Sequence, residues 1–114
     1  MLDIRLYLLQ RLSALVMAPL VIGHLAVMIY AIQGGLSAAE ILGRTQGSFA
    51  WATFYGTFVI AVSVHAAIGL RVIAHEWLGL GARALSVLTW IAFLVLVWMG
   101  VRAVWAVTAP GGVA

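Results

Sequence analysis

The sequence predicts an all-α integral membrane protein that crosses the bilayer three times. Of its 114 residues, 66% are apolar and only 8% are charged, whereas soluble domains are about half apolar and about a quarter charged. Three apolar runs are each long enough to cross the hydrocarbon core, which takes a helix of about 20 residues. We therefore expect residues 1–114 to form a single membrane domain.

The first predicted span covers residues 12–32 and follows an amphipathic start that carries Asp3, Arg5 and Arg11. Its apolar run is longer than the core of a signal peptide, which has about 7 to 15 residues. Pro19 lies inside the run, and membrane helices tolerate proline. We expect a kink near this residue.

The segment between the first two spans is predicted to be an exposed loop with one short helix. Residues 33–37 contain two glycines that end the first span. Ser37 and Glu40 have the spacing of a capping box, in which a serine side chain accepts a hydrogen bond at the start of a helix. The short surface helix should extend to about residues 43–45.

The second predicted span covers residues 49–73, and the third covers residues 85–105. Both contain tryptophan or tyrosine, which favour the interface between membrane and water. A glycine-rich turn at residues 78–83 joins the two spans, and the tail from Thr108 to Ala114 is expected to be frayed.

Charged residues and cysteine content narrow the range of functions. The chain has no lysine and no cysteine, and its arginines form no basic run. Nucleic-acid binding therefore has no support, because it needs a basic patch. Without cysteine, histidine is the main candidate metal ligand.

The arginines also predict the orientation of the chain in the membrane. Four arginines lie at span ends that are expected on one side of the membrane: Arg5, Arg11, Arg71 and Arg83. The other two, Arg44 and Arg102, lie at the span ends on the opposite side. The positive-inside rule then puts the N-terminus in the cytoplasm. Flanks this short leave no room for a soluble catalytic domain, so we interpret the chain as a membrane anchor with no catalytic residue of its own.

His65 is the first candidate for a functional residue. It lies in the apolar second span, where an ionisable side chain is costly unless it has a partner. Ala61 and Gly69 lie one turn on either side of it on the same helix face. We expect a gap there that admits a flat ring system such as haem, with His65 as an axial ligand. The alternative is a structural His65 that bonds a neighbouring carbonyl or hydroxyl group.

Two short motifs resemble a known family. Residues 10–14, Gln-Arg-Leu-Ser-Ala, are similar to the His-Arg-x-Ser-Gly motif of the cytochrome b membrane-anchor subunit of succinate dehydrogenase and fumarate reductase, the respiratory complex II family. His65-x-x-x-Gly69-x-Arg71, with Glu76 beyond it, resembles that family's His-x-x-x-Gly-x-Arg followed by Asp. The family also has three spans and a cytoplasmic N-terminus, so the resemblance covers nearly the whole chain.

For haem binding, the resemblance implies that His65 is an axial ligand of haem b, with the second axial ligand coming from a partner subunit or from this chain. Arg71 is expected either to pair with a haem propionate or to anchor the span at the headgroups. Gln10 and Glu76 replace the family's usual histidine and aspartate. Any role of those family residues in holding propionates or moving protons is therefore weakened here.

For quinone binding, the resemblance implies that Arg11 and Ser13 lie where the family binds ubiquinone and the haem propionates. The Tyr7 hydroxyl, one turn before Arg11, is a further candidate hydrogen-bond donor. The quinone itself can be ubiquinone or menaquinone. The alternatives are that Arg11 only anchors the span at the headgroups and that Ser13 bonds back to its own helix.

His24 is expected at a different membrane depth from His65. It lies thirteen residues past Arg11, which is about 20 Å along a helix, whereas His65 is six residues, about 9 Å, from Arg71. The two histidines are therefore poorly placed to bind one iron together. His24 either ligates a second, deeper haem or forms a structural hydrogen bond.

The resemblance implies the function as a whole. The three helices would form part of a bundle with a second small membrane-anchor subunit in a bacterial cytoplasmic membrane. Together they would hold a flavoprotein and an iron-sulfur subunit, and electrons would pass through haem b to or from quinone. Two alternatives stay open: a haem-free quinone-binding anchor, and a cytochrome b anchor of another quinone-linked oxidoreductase.

Overall fold

The computed structural model describes residues 3–110, and these form four helices with no strand among them. The helices are α1 (Ile4–Gly34), α2 (Ala38–Thr45), α3 (Phe49–Leu78) and α4 (Ala82–Thr108). Within this part of the chain, α1, α3 and α4 are long and apolar enough to cross a membrane. The predicted all-α fold with three membrane-spanning helices is confirmed, and each helix extends beyond the span predicted for it.

Polar side chains begin three of the four helices. The carboxylate of Asp3 accepts a hydrogen bond from the Leu6 N–H at 2.9 Å. Ser37 and Ser48 cap α2 and α3 in the same way through their hydroxyl groups. The Ser37 cap confirms the predicted short helix. Gly79 ends α3 with a φ of 64°, a left-handed conformation that favours glycine.

One narrow stripe of α1 packs against α3, and we call it the α1–α3 seam. Its residues recur at alternating intervals of four and three, the heptad spacing of helices that pack with a left-handed crossing. Apart from Gly23, every other residue of α1 is exposed, including Pro19, through which the helix continues. The seam residues are Leu6, Gln10, Ser13, Met17, Leu20, His24, Val27 and Ala31.

The central helix is α3, which packs against both other spans, while α1 and α4 make little direct contact. The approach to α4 is close at Gly100, where an added Cβ would collide with the side chain of Val59. Membrane helices commonly pack through small residues, because these let the backbones approach closely. The sides of α1 and α4 that face away from α3 stay open to lipid or to partner helices.

The connection between α2 and α3 is bonded to the end of α4. The Thr45 hydroxyl donates a hydrogen bond to the Val107 carbonyl at 2.6 Å, and the Gly47 N–H donates one to the Thr108 carbonyl at 2.8 Å. Thr45 is buried as a result, so the segment predicted to be an exposed loop is anchored there. Of the tail predicted to be frayed, Thr108 is helical and buried, and residues 111–114 lie outside the described residues.

Candidate functional site

His65 faces the α1–α3 seam and has a polar partner there. Its Nδ1 atom lies 3.4 Å from the Ser13 hydroxyl oxygen. The same hydroxyl group donates a hydrogen bond to the Gln10 carbonyl at 2.9 Å. Within residues 3–110, the Nε2 atom of His65 forms no hydrogen bond. One ring nitrogen is therefore engaged within the chain, and the other remains available to an external partner.

The flanks of His65 are both covered, which differs from the expected gap. The Gln10 side chain lies over Gly69, with its Nε2 atom 3.8 Å from the place of an added Cβ. Ala61, on the other flank, is only 7% exposed. The reason is that Gln10 is a seam residue, so its side chain fills the space that glycine leaves on α3.

The open side of His65 lies on the face of α3 that neither α1 nor α4 covers. His65 and Ala66 are half-buried, while Leu70 and Ile73 are largely exposed on that face. A large ring system or a partner helix can therefore approach His65 from this side. We call residues Ala66, Leu70 and Ile73 the open face of α3.

Arg71 is directed toward α4 rather than toward His65. Its Nη1 atom donates a hydrogen bond to the Thr89 hydroxyl at 3.4 Å, and Thr89 donates to the Leu85 carbonyl at 2.6 Å. Arg71 lies six residues after His65, which is about 240° around a helix. The structure therefore does not bring these two predicted site residues together, and the pairing of Arg71 with a haem propionate stays a prediction.

Three buried polar atoms near the start of α1 and the end of α3 lack a hydrogen-bond partner among the described residues. They are Gln10 Oε1, Arg71 Nε and His75 Nδ1. Arg71 also lines a groove of about 590 Å³ between α1 and α4, with Asp3 and Arg5 at its edge. Unsatisfied polar atoms are costly in a membrane protein. This end of the bundle therefore offers more hydrogen-bonding capacity than the described chain uses.

Tyr7 and Arg11 lie together on the exposed side of α1. The Arg11 guanidinium carbon is 5.8 Å from the centre of the Tyr7 ring. Ser13, in contrast, is buried in the seam. Two residues correspond to about 200° of helix rotation, so Ser13 cannot share the face of Arg11. The structure thus separates Ser13 from the other two residues expected at a quinone site.

His24 lies among aromatic side chains at the other end of the seam. Its ring centre is 5.3 Å from that of Phe58 and 6.3 Å from that of Tyr55. It lines a cavity of about 280 Å³ that α2 and α4 also border, with Thr45 and Gly100 among the lining residues. His24 therefore points into the bundle of its own chain. This geometry favours a packing role, and a second haem at His24 stays a prediction.

The two histidines lie at different depths, since eleven residues, about 16 Å of helix, separate His24 from Ser13, the partner of His65. No group of three or more His, Asp or Glu side chains that could hold a metal ion occurs within residues 3–110. An axial haem ligand needs no such group, because one histidine nitrogen on each side of the ring suffices.

Thr89 is the site residue that sequence reasoning missed. It gives Arg71 a hydrogen-bond acceptor on a neighbouring helix. A signal was present, because Thr89 is one of the few polar residues in the third predicted span, and polar side chains in membrane helices often bond across to a neighbour. The spacing of residues within one helix does not reveal such a pair.

A comparison with protein families identifies the chain. The model of the succinate dehydrogenase/fumarate reductase transmembrane subunit matches residues 2–106, a range that holds nearly all of the three long helices. No curated protein and no solved structure gives a significant match. The family is that of a membrane subunit in a multi-subunit complex, in agreement with the three apolar helices. The chain therefore belongs to the succinate dehydrogenase/fumarate reductase transmembrane subunit family.

Proposed function

We propose that this chain is a haem b-binding anchor subunit of a succinate:quinone oxidoreductase. It holds the flavoprotein and iron-sulfur subunits at a bacterial cytoplasmic membrane and takes part in electron transfer to or from quinone. Family membership supports the anchoring role. The haem assignment rests on the two ring nitrogens of His65. Nδ1 lies beside the Ser13 hydroxyl group, and Nε2 forms no hydrogen bond within residues 3–110.

The residues around His65 suit axial ligation of haem. Histidine ligands of metals usually donate one ring N–H to a neighbouring acceptor and bind the metal through the other nitrogen. The open face of α3 gives access to His65, and it is apolar, as the surroundings of haem usually are. When bound, haem b supplies a one-electron redox centre. The chain itself supplies one nitrogen for the iron and an apolar surface beside it.

The second axial ligand is assigned to a second small membrane-anchor subunit. Leu70 and Ile73 of the open face are 45% and 55% exposed, so a partner helix can pack there and present its own histidine. Supplying both ligands from this chain would need a second histidine at the depth of His65. His24 lies about 16 Å away along the helix axis and does not meet that need.

Quinone binding is assigned to Tyr7 and Arg11 on the outer side of α1. Quinone reduction takes two electrons and two protons, so the site needs hydrogen-bond donors for the carbonyl oxygens and access to water. A guanidinium group and a phenol hydroxyl supply such donors, and both side chains are exposed. The distribution of arginines supports a cytoplasmic position for this end of α1.

A reduced-minus-oxidised optical spectrum of the purified complex tests the proposal. We expect the alpha band of a bis-histidine haem b in the wild-type complex. A complex that carries quinone reductase activity without this band would contradict haem binding and would support the haem-free anchor instead. The genes beside this one provide an independent check, because a second short membrane protein with an intramembrane histidine should be encoded there.

A further inference from the structure

The Ser13 hydroxyl group has one hydrogen and two possible acceptors near it, the Gln10 carbonyl oxygen and the His65 ring. A serine hydroxyl donates a single hydrogen bond and can accept two. The Gln10 carbonyl oxygen lies 2.9 Å from the Ser13 oxygen, and it is an acceptor only. The shorter contact favours Gln10 as the acceptor of this hydrogen. With that assignment, a lone pair of the Ser13 oxygen faces the Nδ1 atom of His65, at 3.4 Å.

This arrangement selects one tautomer of His65. A neutral imidazole carries a hydrogen on one nitrogen and a lone pair on the other. With the hydrogen on Nδ1, the ring donates to Ser13. With the hydrogen on Nε2, two lone pairs would face each other inside the bundle, which is unfavourable where the local dielectric constant is low. With the Ser13 hydrogen assigned to Gln10, Nδ1 holds the ring hydrogen, and Nε2 keeps the free lone pair that a metal ligand needs.

We propose that Ser13 is the positioning residue for His65, accepting the Nδ1 hydrogen and fixing both the tautomer and the orientation of the ring. The proposal rests on the proposed ligation of haem through His65. Ser13 is suited to the role because it is only 7% exposed and its own donor is held by the backbone of α1. Ring orientation is thereby linked to the packing of α1 against α3.

This role differs from the quinone contact that the family resemblance implies for Ser13. A hydrogen bond to the second ring nitrogen makes the imidazole more basic, and such partners commonly change metal affinity by about 10- to 100-fold. A more basic ligand favours ferric over ferrous iron. Loss of the Ser13 hydroxyl should therefore change the haem, and it should leave quinone binding at Tyr7 and Arg11 unchanged.

Ser13→Ala in the complete complex tests the role through three measurements: haem retention, the haem midpoint potential and the low-spin electron paramagnetic resonance spectrum. We expect haem to be held about 10- to 100-fold more weakly and the g-values to shift. The midpoint potential should rise, by about 59 mV for each tenfold loss of preference for ferric iron. The KM for quinone should not change.

Three further variants separate this role from general packing. Ser13→Thr keeps a hydroxyl group and should restore the wild-type potential. Ser13→Cys keeps the volume but accepts hydrogen bonds weakly, so it should shift the potential in the same direction even if the alanine variant fails to assemble. Ser63→Ala removes another buried hydroxyl about 200° around α3 from His65, and it should leave the haem unchanged.

The outcomes distinguish this inference from the proposed function. Normal potentials and spectra in both Ser13→Ala and Ser13→Cys overturn the role of Ser13 and leave ligation by His65 standing. A raised KM for quinone with an unchanged potential also overturns it, and it returns Ser13 to the quinone site. Absence of haem from the wild-type complex overturns both proposals.

Discussion

The α1–α3 seam has a histidine at each of two levels, His65 facing it from α3 and His24 within it, and the two levels are built differently. At the first, His65 is beside the Ser13 hydroxyl and next to the open face of α3. At the second, His24 lies beside the rings of Phe58 and Tyr55, and α2 and α4 also line the cavity next to it. Both side chains are half-buried in apolar helices.

The difference shows that the position of a histidine inside a membrane span does not by itself identify it as a metal ligand. Such residues are functional candidates because an ionisable group is costly at that depth. A metal ligand also needs one nitrogen held by an acceptor and the other open to the metal. Within the described residues, His65 has one ring nitrogen 3.4 Å from a hydroxyl group, whereas neither nitrogen of His24 has a hydrogen-bond partner.

The largest expected effect is the loss of haem from His65→Ala, because the substitution removes the imidazole nitrogen that binds the iron in the proposed function. His24→Ala is the matched control and should retain the wild-type amount of haem. Haem per complex, counted as the pyridine haemochrome, measures both variants. A wild-type value of two that falls to one in His24→Ala would break the comparison and establish His24 as a second ligand.

The next effect is a loss of quinone reductase activity in Arg11→Leu, by roughly tenfold or more, since a hydrogen bond from a charged group contributes about 1.5 to 3 kcal/mol. Haem content should be unchanged, because Arg11 lies outside the seam. Activity is measured with quinone and, separately, with a soluble artificial electron acceptor. The comparison separates a defect in quinone reduction from a defect in the earlier electron-transfer steps. Equal activities in both assays, at the wild-type level, would leave Arg11 as a headgroup anchor only.

A smaller effect is expected from Thr89→Val, which removes the acceptor of Arg71. We expect the complex to lose about 1 to 3 kcal/mol of stability, the usual range for a buried donor left without its partner. Thr108→Val is the control, because the Thr108 hydroxyl donates to the Val104 carbonyl of its own helix and to no other helix within residues 3–110. The thermal midpoint of subunit dissociation measures both. A larger loss in the control would show that the bond between α3 and α4 contributes little.

The smallest effect is expected from His24→Phe. A phenylalanine ring can pack against Phe58 and Tyr55 much as the imidazole does, and aromatic pairs contribute about 0.5 to 1.5 kcal/mol beyond their buried area. The haem count and the thermal midpoint should both stay close to wild type. A large drop in stability would reveal a hydrogen bond at His24, which is the other structural alternative for this residue.

Much of the fold follows from local features of the sequence. Three apolar runs predict the long helices, and the spacing of Ser37 and Glu40 predicts the cap of α2, which the structure confirms. These features depend on neighbouring residues and on the thickness of a bilayer. They need no knowledge of which helix faces which.

The pairing of helix faces was much harder to predict, because spans in lipid are apolar all around and show little difference between inner and outer faces. The contacts of Ser13 with His65 and of Arg71 with Thr89 cross between helices. The separation of Ser13 from Arg11 follows from the helical period alone. The heptad spacing of Gln10, Ser13 and His24 can likewise be read from the sequence. The filling of the space at Gly69 required the structure.

The hydrogen bonds that join the connection between α2 and α3 to the end of α4 have a consequence for synthesis of the chain. Thr45 and its acceptor Val107 are 62 residues apart, and ribosomes add about 5 to 20 residues per second. The segment that connects α2 and α3 is therefore synthesised several seconds before Val107. We expect protease to cut this connection more readily before these bonds form than afterwards. Its cleavage in stalled nascent chains of increasing length would show when the third span takes its place.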